Sequence, residues 1–255
     1  MPPASIPASP ASPARRTCCE TCGQGLPPSL RPAPVSARSH WCNHFQSIIA
    51  LNLGILDYGA GNLRSVRNAL TAVGRESSFV RQPHDFDALD VLVFPGQGAF
   101  GDCVQQLQSA NLWEPLQEWL ASDRPYFGIC LGYQLLFEGS EENPGVTGLG
   151  RFAGQVRRFT SQPGLKIPHM GWNQARFVNP SHPAWAGMGA AETFYFVHSY
   201  YPEPDDRGLV ACTTDYGGSF ASGIAAKNLI AVQFHPEKSQ QAGLALLTNA
   251  LEHLA

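Results

Sequence analysis

This chain of 255 residues lacks the features that would point to a membrane or a nucleic acid. Its apolar runs are short, and the longest, residues 47–56, is interrupted by Asn52 and Gly54. No run approaches the roughly 20 apolar residues that span a bilayer. Only 15% of the residues are charged and the net charge is −3, whereas phosphate binding needs a dense cationic face. The composition therefore predicts a globular protein with no membrane and no nucleic acid among its partners.

Acidic and large aliphatic side chains are scarce in residues 1–47. This stretch holds nine of the 21 prolines, four arginines and a single acid, Glu20. A segment with so little apolar surface cannot offset its ordering entropy, so we expect a disordered extension over 1–47 and one folded domain over 48–255. Two alternatives stay open for the extension. One is a targeting peptide, because transit sequences are also rich in Arg and Ser, and the other is a wrongly chosen upstream start codon.

The seven cysteines show no spacing typical of a disulfide framework. Four lie in the extension: Cys18, Cys19, Cys22 and Cys42. Cys19 and Cys22 have the spacing of half a zinc site, which Cys42 and a histidine would have to complete. The alternative is incidental cysteines, because no second close pair follows, and we predict no metal site in the folded domain. The other three, Cys103, Cys130 and Cys212, are scattered, which is typical of a reducing compartment and indicates a cytoplasmic protein.

Short apolar runs alternate with helical patterns in the first part of the domain. The predicted strands are 48–56, 77–80, 91–94 and 126–129. Helical spacing covers 62–73, then a stretch up to about 120 that is broken near 111–115, and finally 131–137. Strands and helices in alternation with short connections indicate a parallel sheet with helices on both faces.

The pattern changes after Gly139, where short runs are joined by Gly and Pro turns. The predicted strands there are 155–159, 173–178, 193–198, 209–213, 220–226 and 230–234. These runs indicate a more antiparallel half, and residues 240–254 predict a closing helix. The fold class is therefore α/β, with a doubly wound mixed sheet in a single domain.

The strongest local signal is Gly128-Ile-Cys130-Leu-Gly132, at a predicted junction of strand and helix. This is the nucleophile-elbow pattern with Cys in place of Ser, in which the nucleophile occupies a sharp, strained turn. The flanking residues are glycines because a side chain there would collide with the strand or the helix. A position at the start of a helix also favours the thiolate form of Cys130.

A cysteine nucleophile needs a base, and His235 follows the last predicted strand. Doubly wound folds keep their sites at this carboxyl edge of the sheet. Glu237, two residues further on, can bind the distal imidazole nitrogen and fix its tautomer. The sequence thus predicts a triad of Cys130, His235 and Glu237.

The developing oxyanion needs backbone donors. Leu131 follows the nucleophile, so its amide is one candidate. The turn Pro95-Gly-Gln97-Gly98 follows a neighbouring strand and can offer a second N–H, which we assign to Gln97. Glycines in this turn let the backbone approach the substrate carbonyl.

Together, residues 128–134 (GICLGYQ) and 235–237 (HPE) resemble the class I glutamine amidotransferases, α/β enzymes with a Cys-His-Glu triad. Further blocks resemble one branch of that family, the glutaminase subunits of imidazole glycerol phosphate synthase, which acts in histidine biosynthesis. They are 57–66 (DYGAGNLRSV), 95–100 (PGQGAF), 167–173 (IPHMGWN), 195–200 (YFVHSY) and 233–239 (QFHPEKS). The resemblance extends from about residue 52 to the C-terminus and has no counterpart for the extension.

The resemblance implies roles for further residues. The residues that it implies for binding L-glutamine are Gly98, Gln134, Glu142, His198, Ser199 and Tyr200. The residues that it implies for contact with a partner are Asn62, Trp172, Asn173 and Tyr195. That partner would be a cyclase subunit with a (β/α)₈ barrel, joined in a heterodimer. Neither a metal nor an organic cofactor is implied for the glutaminase.

Two alternatives remain open at this point. The chain could serve another synthase, such as those for aminobenzoate, anthranilate or guanylate, although block 167–173 argues against them. It could also be a cysteine hydrolase, or a binding protein with the same elbow, although these lack a His-Pro-Glu segment near the chain's end.

Overall fold

The computed structural model describes residues 51–255, which form twelve strands and five α-helices. The strands are β1 (Leu53–Leu56), β2 (Ser77–Val80), β3 (Val91–Gly96), β4 (Tyr126–Cys130), β5 (Gly139–Ser140), β6 (Gly154–Arg158), β7 (His169–Phe177), β8 (Ala191–His198), β9 (Tyr200–Pro204), β10 (Val210–Asp215), β11 (Ser219–Ala226) and β12 (Leu229–Val232). The helices are α1 (Leu63–Ala72), α2 (Phe100–Ser109), α3 (Trp113–Ala121), α4 (Leu131–Gln134) and α5 (Gln240–Leu254). The predicted extension, with its candidate zinc ligands, lies outside the described residues.

Nine strands form the main sheet, in the order β2-β1-β3-β4-β12-β11-β10-β7-β8. From β2 to β12 each strand is parallel to its neighbour, and from β12 to β8 each pair is antiparallel. The predicted mixed sheet, with a parallel first half and an antiparallel second half, is confirmed. A second, smaller sheet has the order β5-β6-β9.

Helices cover both faces of the parallel half, as the alternation along β3 shows. Val91 and Val93 point into one core, which they share with buried residues of α1 and α5. Leu92 and Phe94 point into a second core, which they share with α2 and α3. Because both faces are buried, β3 has a continuous apolar run instead of alternating polar and apolar residues. No helix within residues 51–255 is long and apolar enough to cross a membrane.

Strand β9 was not predicted from the sequence, and its Pro202 and Pro204 are residues more typical of a loop. Within the three-stranded sheet β9 pairs only with β6 and lies at the edge. Proline removes a backbone donor, and an edge strand has a free side on which that donor is not needed. The two prolines are therefore compatible with a strand in this position.

Helix α4 and strand β7 also differ clearly from prediction in length. Helix α4 ends at Gln134 instead of residue 137, since the chain then turns towards β5. Strand β7 begins at His169, four residues before the predicted start, and pairs with β8 from that residue onward. Pro168 and Gly171 suggest a loop locally, but the ladder to β8 decides the conformation.

Candidate active site

Cys130 occupies the turn between β4 and α4. Its φ of 55° and ψ of −102° lie in a sparsely populated region for a residue with a side chain. A Cβ atom at Gly132 would collide with the carbonyl oxygen of Phe94, and one at Gly128 would lie 2.8 Å from the carbonyl oxygen of Gly132. Only glycines allow this close approach, so the turn has the strained geometry expected of a nucleophile elbow.

His235 is brought to the same sheet edge because it follows β12, which runs parallel to β4. Its Nδ1 lies 2.8 Å from Oε1 of Glu237, and the two side chains are only 6% and 2% exposed. A carboxylate at Nδ1 holds the proton on that nitrogen. The other ring nitrogen, Nε2, is buried and has no hydrogen-bond partner within residues 51–255, so it is available for proton transfer.

The electrostatic environment favours a charged imidazole. Burial lowers the pKa of His235, but the nearby Cys130 sulfur and the Glu237 carboxylate outweigh burial and raise it to about 10. His235 therefore holds a second proton at neutral pH. An imidazolium beside the cysteine is the arrangement that stabilises a thiolate nucleophile.

A cavity of about 750 Å³ connects Cys130 and His235 with the residues predicted to bind the substrate. The predicted residues that line it are Gln97, Gly98, Cys130, Leu131, Gln134, Glu142, His198, Ser199, Tyr200 and His235. The sequence analysis missed Gly59–Gly61, Pro168 and Val197, which also line it. Residues 59–61 follow β1 at the same carboxyl edge of the sheet. Because the sites of doubly wound folds lie at this edge, these residues could have been identified from the sequence.

The turn after β3 lies beside the nucleophile, because Gly96 is paired in register with Cys130 across the parallel strands. Gln97 and Gly98 follow directly, and Gly98 has a φ of 102°, which favours glycine. This position is suitable for a backbone donor to the substrate oxygen. The assignment of the oxyanion donors to Gln97 and Leu131 stays a prediction.

Existing hydrogen bonds limit what two of the pocket residues can offer a ligand. One oxygen of Glu142 accepts from the backbone N–H of Phe100 at 2.8 Å, at the start of α2. The Nε2 of Gln134 donates to the carbonyl of Tyr200 at 2.9 Å and to Oε1 of Gln233 at 3.1 Å. Both N–H groups of Gln134 are therefore used, which leaves its Oε1 for a ligand.

Gln233 is the first residue of block 233–239, but the sequence alone indicates no role for it. Its side chain is fully buried, and its Nε2 lies 3.5 Å from the sulfur of Cys130. A polar residue two positions before the histidine was the available signal. Only the fold shows that its amide reaches the nucleophile, 103 residues away in the sequence.

The predicted partner residues divide between the two faces of β7. Trp172 is 50% exposed and packs edge-on against Tyr195, with ring centroids 6.0 Å apart. Met170, 62% exposed, lies two residues away on the same face. Asn173 points to the opposite face, where its Nδ2 lies 3.2 Å from Nε2 of His169. Strand alternation therefore places Asn173 and Trp172 on opposite faces of β7. Asn62, which was also predicted to contact the partner, lies directly before α1.

A cysteine on a strained strand-to-helix turn, with a histidine oriented by a buried carboxylate, defines an enzyme of acyl transfer that acts through a thioester. The family model described as "Glutamine amidotransferase class-I" matches residues 54–254, so the chain belongs to the class-I glutamine amidotransferase family.

Two similar relatives carry the name of a subunit of imidazole glycerol phosphate synthase. The chain is 50% identical over 203 residues to the imidazole glycerol phosphate synthase subunit HisH of Nitrosococcus oceani, with 78% of this chain and 96% of the relative covered. It is 46% identical over 200 residues to subunit HisH of Acinetobacter baylyi, with 78% and 97% covered.

A solved structure shares the fold. It is a putative GMP synthase subunit from Thermoplasma acidophilum, which superimposes with a TM-score of 0.61 at 19% identity and covers 80% of this chain and 94% of the other.

Proposed function

We propose that this chain is the glutaminase subunit of an imidazole glycerol phosphate synthase, and that it hydrolyses L-glutamine and supplies the ammonia to a cyclase subunit in histidine biosynthesis. The observation that carries the proposal is one cavity that is lined by both the strained Cys130 and His235. The Nδ1 of His235 is hydrogen-bonded to Glu237. The names of the relatives support the choice of synthase.

The chemistry follows from the charges in the site. The Cys130 thiolate attacks the side-chain amide carbon of glutamine, and backbone N–H groups of Gln97 and Leu131 stabilise the oxyanion. His235, as the imidazolium, gives its proton to the amide nitrogen, and ammonia leaves. The neutral imidazole then removes a proton from water, which attacks the γ-glutamyl thioester and releases glutamate and the thiolate.

The substrate's α-ammonium group would be held by acceptors that line the cavity. Glu142 offers a carboxylate for the ammonium group, and Gln134 offers its free Oε1. His198, Ser199 and Tyr200 form the wall beside them. Burial lowers the pKa of His198 to about 3, so the imidazole in this wall carries no charge at neutral pH.

The acceptor reaction is assigned to the cyclase subunit, bound as a heterodimer. The exposed face of Met170 and Trp172, beside Tyr195, is an apolar surface suited to a protein partner. A cytoplasmic location is proposed as well, because Cys103, Cys130 and Cys212 are unpaired, as is typical of proteins in a reducing compartment.

The test is a synthase assay of the assembled complex with either glutamine or ammonium salt as nitrogen source. Cys130→Ala is expected to abolish the glutamine-dependent reaction and to leave the ammonium-dependent reaction within about twofold, because the acceptor site lies on the other subunit. A complex that assembles normally but loses both reactions would overturn the proposed separation of the two activities.

A further inference from the structure

We propose that Gln233 is a positioning residue for the nucleophile: its amide N–H stabilises the Cys130 thiolate, and Gln134, which donates to the carbonyl of Tyr200, keeps the amide in that orientation. The buried histidines His198 and His169 support the same carbonyl from β8 and β7. The inference deepens the proposed function and depends on Cys130 being its nucleophile.

The chain is continuous from β7 to the sulfur. Asn173 Nδ2 lies 3.2 Å from Nε2 of His169, and Nδ1 of His169 lies 3.0 Å from Nε2 of His198. Nδ1 of His198 lies 2.8 Å from the carbonyl oxygen of Tyr200. That oxygen also accepts from Gln134, which donates to Gln233, and Gln233 reaches the sulfur of Cys130 at 3.5 Å.

Two backbone carbonyls determine the direction of every bond in this chain. The oxygen of Tyr200 can only accept, so the atom of His198 that faces it is an N–H and the opposite ring nitrogen is an acceptor. His169 must then donate from Nδ1 and accept at Nε2. At the far end the carbonyl of Asp215 accepts from Asn173 at 3.0 Å, which identifies the Asn173 atom facing His169 as its amide nitrogen. The two ends thus agree.

The same carbonyl of Tyr200 determines the orientation of Gln233. The atom of Gln134 that faces this carbonyl must be its amide nitrogen. Gln134 therefore presents a donor to Gln233, whose oxygen faces it, and the Gln233 amide nitrogen faces the sulfur. Rotation of the Gln233 amide by 180° would place two N–H groups against each other and an oxygen against the thiolate, and the fully buried Gln233 side chain has no water to compensate for these contacts.

Both histidines must be neutral for this arrangement to hold. Burial lowers the pKa of His169 to about 4 and that of His198 to about 3. His169 also lies stacked between Phe196 and Tyr216, with ring centroids 4.7 and 3.9 Å away. The imidazole is thereby held in one plane, and the direction of its donor is constant.

Gln233 is not among the residues that line the cavity. It can influence catalysis only through Cys130 and Gln134, which makes it a positioning residue. A hydrogen bond to an anion is roughly twice as strong as one between neutral groups, so the amide favours the thiolate over the thiol. Loss of the donor should lower the thiolate fraction, and with it kcat, and should change KM little.

The test is the rate of alkylation of Cys130 by iodoacetamide as a function of pH, followed by peptide mass spectrometry. Gln233→Met keeps the length of the side chain but cannot donate, and we expect its pH midpoint to rise by about one unit, or roughly tenfold slower labelling below the midpoint. Gln233→Glu places a carboxylate against the sulfur and should shift the midpoint further. His169→Phe keeps the stacking but removes the donor to His198, and a shift of roughly threefold in rate is expected.

The matched control is Gln106→Met, the same substitution at an exposed position of α2, which should label like the wild type. His235 and Tyr58 interact electrostatically with Cys130 and are unchanged in every variant, so a shift reports the amide. In steady-state assays of the complex, Gln233→Met should lower kcat about tenfold and keep KM for glutamine within about twofold.

Three outcomes are informative. The proposal is supported if the pH midpoint of Cys130 alkylation rises from the wild type to Gln233→Met and rises again in Gln233→Glu. A folded Gln233→Met with the wild-type profile overturns it, and if that variant does not fold, a wild-type profile of Gln233→Glu overturns it instead. An unchanged rate in His169→Phe overturns only the support that the histidines give to the Tyr200 carbonyl. Failure of the proposed function looks different, because the wild-type Cys130 would then label no faster than the buried Cys103 and Cys212.

Discussion

The parallel and antiparallel halves of the main sheet carry different parts of the enzyme. The parallel half ends in the turns that hold Cys130, Gln97 and His235 at one edge. The antiparallel half contributes β7 and β8, whose outer face exposes Met170 and Trp172. Strand β12 lies at the boundary, parallel to β4 on one side and antiparallel to β11 on the other.

This difference has a physical basis. Parallel strands direct all their carboxyl ends to one edge, so residues distant in sequence converge there. Antiparallel strands can bury one face and expose the other, which suits a surface that meets a partner. The comparison therefore predicts that chemistry and docking can be changed separately by substitutions in the two halves.

The largest expected effect lies at the parallel edge, at Glu237. Glu237→Gln removes the charge that orients and stabilises the His235 imidazolium, and we expect glutaminase turnover of the complex to fall by roughly 1,000-fold. Affinity for the cyclase, measured by calorimetry, should stay within about twofold. Glu118→Gln, the same change at an exposed position of α3, is the control. Loss of affinity in Glu237→Gln would break the division between the halves.

The titration of His235 should also depend on its neighbour in the parallel half. The pKa of His235 is raised to about 10. The second proton of the imidazole therefore stabilises the folded state, and this contribution is fully present at pH values below about 6.5, the ordinary pKa of histidine. This contribution is lost as the pH rises through about 10. In Cys130→Ser the sulfur's charge is absent, and we expect the midpoint to fall by about two units or more, a hundredfold in proton affinity.

NMR of ¹³C-labelled histidine measures these midpoints, with the His235 signal assigned by its absence in His235→Gln. Equal midpoints in the wild type and Cys130→Ser would contradict a thiolate–imidazolium pair.

A smaller effect is expected in the antiparallel half, at Trp172. Trp172→Ala should weaken binding of the cyclase by about 2 kcal/mol, or roughly 30-fold in Kd, because large aromatic side chains dominate interfaces. The fold should be retained, since this side chain is half exposed. Val178→Ala, at an exposed residue after the opposite end of β7, is the control. If both variants bind alike, the partner surface lies elsewhere.

The smallest effect is expected outside both halves. Deletion of residues 1–46 should change complex formation and glutaminase activity by no more than about twofold, because every predicted site residue follows this segment. Activity and affinity are measured as above, and bound zinc is measured by elemental analysis. Stoichiometric zinc in the full-length protein alone would favour the Cys19, Cys22 and Cys42 site.

Local sequence was sufficient where the conformation depends on neighbours in the chain. Strand β2 was predicted at its observed ends, 77–80, and helix α5 at 240–254. Prediction was poorer where pairing with distant strands overrides local signals. The prolines of β9 are typical of a loop, and Pro168 and Gly171 gave no local signal for the start of β7. Yet β9 pairs with β6, and the first residue of β7 pairs with the last residue of β8.

The sequence by itself was sufficient to predict the residues of the triad, because an elbow is a local feature: its glycines are needed within two residues of Cys130, and Glu237 follows His235 by two. Only the tertiary structure decided which buried polar groups reach the sulfur and which face of β7 each residue occupies. Gln134 and Gln233 are 99 residues apart, and Gln233 and Cys130 are 103 apart. A buried amide takes the orientation that its partners impose, and those partners are brought together only when the sheet has formed.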